Sequence, residues 1–138
     1  MAPSALNKLG ELERAVMDEV WEAHRRGSSS VTVRHVHDRL QHDRELAYTT
    51  IMTVMTRLSR KGLLNRLRHG RAYHYTPVDT REQLTASTMH EQLRDITPED
   101  RRAALVHFLD DATDEELADL RAALALVERK HRPTSARR

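Results

Sequence analysis

Apolar residues recur at spacings of three and four along most of the chain, and this periodicity predicts helices. The first predicted helix covers residues 9–25 and ends before a Gly-Ser-Ser-Ser stretch. Thr32 is a suitable N-cap for a second helix, which runs to about residue 41. A third helix begins among residues 47–49 and closes at Lys61-Gly62, because a cation followed by glycine favours a helix end.

The period changes after the third helix. Residues 64–68 and 72–76 are two short segments that flank His69-Gly70-Arg71, which predicts a β-hairpin with glycine in its turn. Pro77 lacks an N–H for the ladder, so we expect it to end the second strand. Three further helices are then predicted from their start signals, which are Thr80, Thr97-Pro98 and Thr113.

These elements predict a mainly α-helical fold with a small β-hairpin, in which an N-terminal winged helix-turn-helix precedes a C-terminal helical dimerisation segment. We expect the winged helix-turn-helix domain at residues 1–78, a three-helix dimerisation region at 79–131 and a disordered basic tail at 132–138. The helices of the dimerisation region are short and must pack on something. The first domain is a possible partner for their apolar stripes, but a second copy of the segment is the more economical one. The residues predicted for the dimer interface are Met89, Leu93, Leu105, Phe108, Leu109, Leu117, Leu120, Leu124 and Val127.

Positive charge is concentrated in the first part of the chain. The chain as a whole has a net charge of +2, but residues 1–78 carry 13 basic and 8 acidic residues, a net charge of +5. No acidic residue occurs between Glu45 and Asp79, while six Lys and Arg residues do. This stretch is a candidate surface for a polyanion, and a solvated basic face that binds nothing is the alternative.

The third helix and the hairpin hold most of that unopposed charge. If the apolar positions of the third helix face the core, its opposite face presents threonine and arginine. Both residue types can contact DNA bases, and arginine also neutralises phosphate. A winged helix-turn-helix places its third helix in the major groove and its hairpin wing on the backbone or minor groove. The residues predicted to bind DNA are Thr32, Tyr48, Thr49, Thr50, Thr53, Arg57, Arg60, Arg66, Arg68 and Arg71.

Four sequence segments are similar to those of a known protein family. They are Leu-Gly-Glu-Leu-Glu at 9–13, the segment 46–58 with Ala-Tyr-Thr-Thr-Ile-Met-Thr, Lys-Gly-Leu-Leu at 61–64, and Gly-Arg-Ala-Tyr-His-Tyr-Thr-Pro at 70–77. Together they resemble the BlaI/MecI family of penicillinase repressors. The resemblance implies a homodimeric repressor on near-palindromic operators with TACA/TGTA cores, upstream of β-lactamase, sensor or cell-wall genes, with the C-terminal helices forming the dimer.

The resemblance also implies a route of release. In the family, a membrane sensor-protease cuts the repressor in its C-terminal region after a β-lactam is sensed, and the bond that is cut is Asn-Phe. The matching bond here is His107-Phe108, so a histidine stands where the family has asparagine. Phe108 is the one phenylalanine of the chain, and an anchor in the dimer core is the alternative interpretation of this residue.

Other classes of function are less well supported. The chain has no cysteine, and it contains none of the metalloprotease, nucleophile-elbow or phosphate-loop motifs, so we expect no enzyme, metal or cofactor. A regulator released by a small-molecule effector at the dimer interface, and a protein-interaction module that uses the acidic residues of 110–119, remain alternatives. With no signal peptide and no long apolar run, we expect a cytoplasmic protein without membrane insertion.

Overall fold

The computed structural model describes Leu6 and residues 9–42 and 45–132. The elements in chain order are α1 (Glu11–Arg25), α2 (Val33–Leu40), α3 (Tyr48–Arg60), β1 (Leu64–His69), β2 (Ala72–Pro77), α4 (Arg81–Arg94), α5 (Pro98–Asp110) and α6 (Asp114–Lys130). The predicted fold class, helical with one antiparallel hairpin, is confirmed. Apart from Arg132, the predicted disordered tail lies outside the described residues.

Most helix ends lie where the cap residues predict them. The hydroxyl of Thr32 accepts a hydrogen bond from the backbone N–H of His35 at 3.2 Å, and Thr97 and Thr113 cap α5 and α6 in the same way. The first helix starts at Glu11 and not at residue 9, because Gly10 is extended and its N–H donates to the carboxylate of Glu13 at 3.1 Å. Helix α3 begins after Ala47, which supplies no side-chain cap.

A mainly aliphatic core joins α1, α2, α3 and the hairpin. Its fully buried side chains come from one stripe of each helix and from Tyr75 of β2, and those of α1 and α3 include Val16, Met17, Ile51, Met55 and Leu58. The apolar spacing that predicted each helix therefore also identifies the face that the helix buries.

The hairpin runs one residue further on each strand than predicted. Pro77 is the last residue of β2 and pairs with Leu64, whereas the predicted strand ended one residue earlier. Proline is tolerated there because the last position of a strand does not require an N–H donor. At its other edge, Tyr75 exchanges backbone hydrogen bonds of 2.8 and 2.9 Å with Val31. This bridge ties the segment before α2 to the wing, and Tyr75 is almost fully buried.

The chain divides into two compact units, and the first ends at Gln92, later than the expected boundary at residue 78. The difference has a physical cause in the first part of α4. Leu84 is buried in the core of the first unit, the indole N–H of Trp21 donates to the backbone oxygen of Asp79 at 3.0 Å, and Arg81 forms an ion pair with Asp18. We call the first unit the head.

The second unit begins at Leu93 and contains α5 and α6. Both helices are well capped, and α6 opens with a capping box between Thr113 and Glu116. Neither helix contributes a single buried residue. The helices of this unit are therefore formed, but their apolar side chains remain in contact with solvent.

Candidate nucleic-acid interface

An open groove of about 660 Å³ lies on the head between α3, the start of α2 and the hairpin. It brings together residues that are far apart in sequence, from Thr32 to Tyr75. The predicted DNA-binding residues that line it are Thr32, Tyr48, Thr53, Arg57, Arg60, Arg66 and Arg71. The other three, Thr49, Thr50 and Arg68, are exposed on α3 or the wing but do not line the groove.

Helix α3 presents its polar face to this groove because its apolar face is anchored. Ile51, Val54, Met55 and Leu58 are buried in the core. The helical period then directs Thr53, Arg57 and Arg60 outward, and all three are exposed.

The groove is electropositive. Four arginine side chains line it, and none of its described lining residues is Asp or Glu. The N-terminus of α2 adds the positive end of a helix dipole beside Thr32. A polyanion is therefore the ligand that this surface favours.

The wing arginines are ordered by a tyrosine that the sequence analysis did not select. The guanidinium carbon of Arg66 lies 4.3 Å from the ring centroid of Tyr73, and that of Arg68 lies 5.5 Å from it. Tyr73 is paired with Arg68 across the hairpin, so the strand register itself brings ring and cations together. Such cation–π contacts restrict the arginine side chains before any ligand arrives.

A buried carboxylate holds the C-terminal end of α3. The Nζ of Lys61 lies 2.9 Å from both carboxylate oxygens of Glu13 on α1. Burial raises the pKa of Glu13, but the hydrogen bonds from Lys61 and Gly10 and the charges of Lys61 and Arg57 outweigh it, so the pKa is lowered overall. The ion pair thereby links the C-terminal end of α3 to α1.

The N-terminal end of α3 is held by His37. Its Nε2–H donates to the backbone oxygen of Leu46 at 2.7 Å, just before α3 begins. Its ring also meets the ring of Tyr48 edge-on, with centroids 5.7 Å apart. The side chain of His37 is itself largely buried at this position.

Sequence reasoning missed part of the groove. Met52, Thr56, Ala72 and Tyr73 line it but were not among the predicted residues. The helical period could have identified Met52, which lies one turn after Tyr48. Only the pairing of the hairpin could have placed Tyr73 beside the groove.

Among the described residues, no group of three or more His, Cys, Asp or Glu side chains could hold a metal ion. His69 and His74 do meet across the hairpin, with ring centroids 5.4 Å apart, and the Nδ1 of His74 is 3.0 Å from the hydroxyl of Ser30. No helix within the described part of the chain is long and apolar enough to cross a membrane.

The fold and the basic groove define a winged helix-turn-helix transcriptional regulator. The penicillinase repressor family matches residues 9–126, and the chain belongs to that family. It is 44% identical over 127 residues to the transcriptional regulator BlaI of Mycobacterium tuberculosis. The matched region covers 91% of this chain and 89% of that relative. The family consists of transcriptional repressors and not of enzymes.

Solved structures with similar folds include the solution structure of the monomeric form of Bacillus licheniformis BlaI in complex with the blaP half-operator. It is 29% identical to this chain, and its TM-score is 0.44. The matched region covers 54% of this chain and 85% of the Bacillus licheniformis chain. The structure of hsRosR-S1 is 16% identical and covers 88% of this chain and 99% of that one, with a TM-score of 0.50. The latter likeness concerns the fold alone.

Proposed function

We propose that this chain is a homodimeric repressor that binds near-palindromic operators with TACA/TGTA cores. The observation that carries the proposal is the basic groove, because folding brings seven of the ten predicted DNA-binding residues to its lining. Its targets are genes for β-lactamase, a sensor or the cell wall, and its site of action is the cytoplasm, where the operator lies. The Bacillus licheniformis relative, described in complex with a half-operator, supports DNA as the ligand.

The proposed division of labour follows from position. Thr49, Thr50, Thr53 and Arg57 project from the exposed side of α3, which enters the major groove and meets base edges. The other six predicted residues contact the sugar–phosphate backbone of the DNA. Those backbone contacts position the head without reading sequence. The six residues proposed to contact the DNA backbone are Thr32, Tyr48, Arg60, Arg66, Arg68 and Arg71.

The second unit supplies the dimer in this proposal. Leu105, Phe108, Leu109, Leu124 and Val127 are exposed, and such a concentration of large apolar side chains calls for a cover. In the second unit, Leu93, Leu117 and Leu120 are half-buried. Met89 is exposed as well, but it lies on the part of α4 that belongs to the head. A second copy of the same surface provides a self-complementary cover and places two heads on two half-sites.

Release follows from loss of the dimer. We propose that a membrane sensor-protease, activated by a β-lactam, cuts His107-Phe108 in α5. Both residues are exposed, and Phe108 belongs to the predicted dimer surface. A cut there separates the heads, which removes the gain in affinity that two linked half-site contacts provide.

Fluorescence anisotropy with a TACA/TGTA palindrome and a scrambled duplex, each at two salt concentrations, tests the proposal. We expect salt-sensitive, sigmoidal binding that prefers the palindrome by about 10³-fold or more. Equal weak binding to both duplexes would refute the operator, and no binding at low salt would refute DNA as the ligand.

A matched pair of arginine variants tests the groove itself. Arg57 and Arg25 both lie in the last turn of a head helix, but only Arg57 lines the groove. Arg57→Ala should weaken operator binding about tenfold or more, with a smaller loss on the scrambled duplex, since a base contact discriminates between them. Arg25→Ala should leave both affinities within about twofold. Equal losses from the two variants would mean that overall charge, and not the groove, binds the duplex.

A further inference from the structure

A methionine lies exposed in the basic groove. Met52 is 43% exposed, although α3 buries four other apolar side chains in the core. It lies one turn after Tyr48, which is also exposed and also lines the groove. The two side chains form an apolar strip on a surface that three threonines and four arginines also line.

The charge around this strip limits what can cover it. Arg57, Arg60, Arg66 and Arg71 line the same groove, and its described lining includes no acidic residue. The occupant must therefore be a polyanion that also carries an apolar group. Among the base-pair edges of the DNA major groove, the 5-methyl group of thymine is the apolar one. Duplex RNA lacks that methyl group, and its major groove is too narrow and deep for side chains to read.

We propose that Met52 contacts a thymine 5-methyl group in each half-site and is a specificity-determining residue of this repressor. The inference rests on the proposed function, since it requires α3 in the major groove. Thr53 is the competing candidate, because it lines the same groove and also carries a methyl group.

The expected size of the effect follows from the burial of one methyl group. Removing it from the DNA changes affinity about fourfold at one contact. Because a dimer makes the contact twice, a symmetric replacement should weaken binding on the order of tenfold.

The test uses the full-length protein and a duplex that this protein selects from a random pool. Thymines of the selected duplex are replaced one symmetric pair at a time by deoxyuridine, which removes only the methyl group. We expect one replacement to weaken binding of the unaltered protein about tenfold. In Met52→Ala that penalty should fall below about twofold, while Met52→Leu, which keeps an apolar side chain, should retain it.

The matched control is Thr53→Ser, which removes one methyl group from the neighbouring residue and should leave the deoxyuridine penalty unchanged. A penalty that persists in Met52→Ala, or that disappears in Thr53→Ser, would overturn the inference. A Met52→Ala loss that is equal on thymine and uracil duplexes would place Met52 against the backbone and would also overturn it.

Two further readouts separate this inference from its foundation. Because Met52 and Thr53 are both exposed, each variant should unfold at the temperature of the unaltered protein. If the protein selects no preferred duplex at all, the proposed function fails before the inference is reached. If it selects one whose affinity depends on no thymine methyl group, only the inference fails.

Discussion

The head and the second unit are built from the same kind of amphipathic helix, yet they differ in what those helices bury. In the head, α1, α2 and α3 close around a core with the hairpin. In the second unit, α5 and α6 contribute no buried residue, and Leu105, Phe108 and Leu124 remain exposed. The head thus encloses a core within one chain, whereas large apolar side chains of the second unit are exposed.

Helix formation itself does not separate the two units. The Thr113 capping box of α6 is at least as good as the caps of the head helices, and α3 starts with no side-chain cap at all. Caps and periodicity are properties of the local sequence. The difference therefore lies in packing, and four experiments test it.

The largest expected effect is on the head core. Leu58 is fully buried, so Leu58→Ala should lower the free energy of unfolding by about 2–5 kcal/mol. The chain has one tryptophan, Trp21, whose fluorescence in urea therefore reports on the head alone. The control is Leu124→Ala in the second unit, where a 59% exposed side chain should change this transition by less than about 0.5 kcal/mol. Similar losses in both variants would abolish the contrast between the units.

The next effect concerns assembly. Phe108 is 54% exposed in α5, and Phe108→Asp should raise the dimer dissociation constant about 100-fold, because the dimer would have to bury an unpaired charge. Sedimentation over a range of protein concentrations measures this constant. Leu67→Asp is the control, since Leu67 is an exposed apolar residue of the wing and lies outside the predicted dimer surface. A dimer that tolerates Phe108→Asp but not Leu67→Asp would place the interface on the head.

A moderate effect is expected at the ion pair between α1 and α3. Glu13→Gln should cost roughly 1–2 kcal/mol at pH 7, a value discounted because Lys61 is partly exposed. The folded-state pKa of Glu13 is lowered, so its contribution is complete above the ordinary pKa of 4.5 and is lost as the pH falls through the folded-state value.

Urea unfolding at pH 7 and at acidic pH checks this prediction. The difference in the free energy of unfolding between Glu13→Gln and the unaltered protein should become smaller as the solution becomes acidic. The control is Glu19→Gln, which breaks a more exposed pair with Arg39 and should cost less than about 0.5 kcal/mol. A difference that is constant with pH would mean that Glu13 stabilises the head by packing and not by charge.

The smallest effect is expected at the wing. Tyr73→Leu removes the ring beside Arg66 and Arg68 and should weaken operator binding roughly threefold, because these arginines must then be ordered on binding. Tyr73→Phe keeps the ring and should bind normally in the same anisotropy titration. Weak binding by Tyr73→Phe would instead assign the role to the hydroxyl group.

Much of the fold could be predicted because its elements are encoded locally. Thr32, Thr97 and Thr113 cap the helices that they were predicted to cap, and Gly70 has the positive φ that the hairpin turn requires. The apolar stripe of α3 identified both its buried side and its exposed side. The groove could be anticipated for the same reason, since most of its residues belong to α3 and the wing.

The contacts that sequence reasoning missed join residues far apart in the chain. The Glu13–Lys61 pair, the Trp21–Asp79 hydrogen bond and the Val31–Tyr75 bridge each connect separate elements. No local pattern predicts such partners, because the residues next to each side chain in sequence give no sign of which distant residue it will contact. The head extends well beyond residue 78 because Trp21 is hydrogen-bonded to Asp79 and Leu84 is buried in its core.

The helices, the hairpin, the basic stretch of the first part of the chain and the resemblance to a repressor family all follow from the amino-acid sequence. These depend on side-chain spacing, cap chemistry and charge, which act over a few residues. Three outcomes became visible only in the folded chain: which basic and polar residues share one groove, that Met52 and Tyr73 belong to it, and where the head ends. Those outcomes depend on packing between distant elements, where burial and ion pairing select one arrangement from many that the local patterns allow.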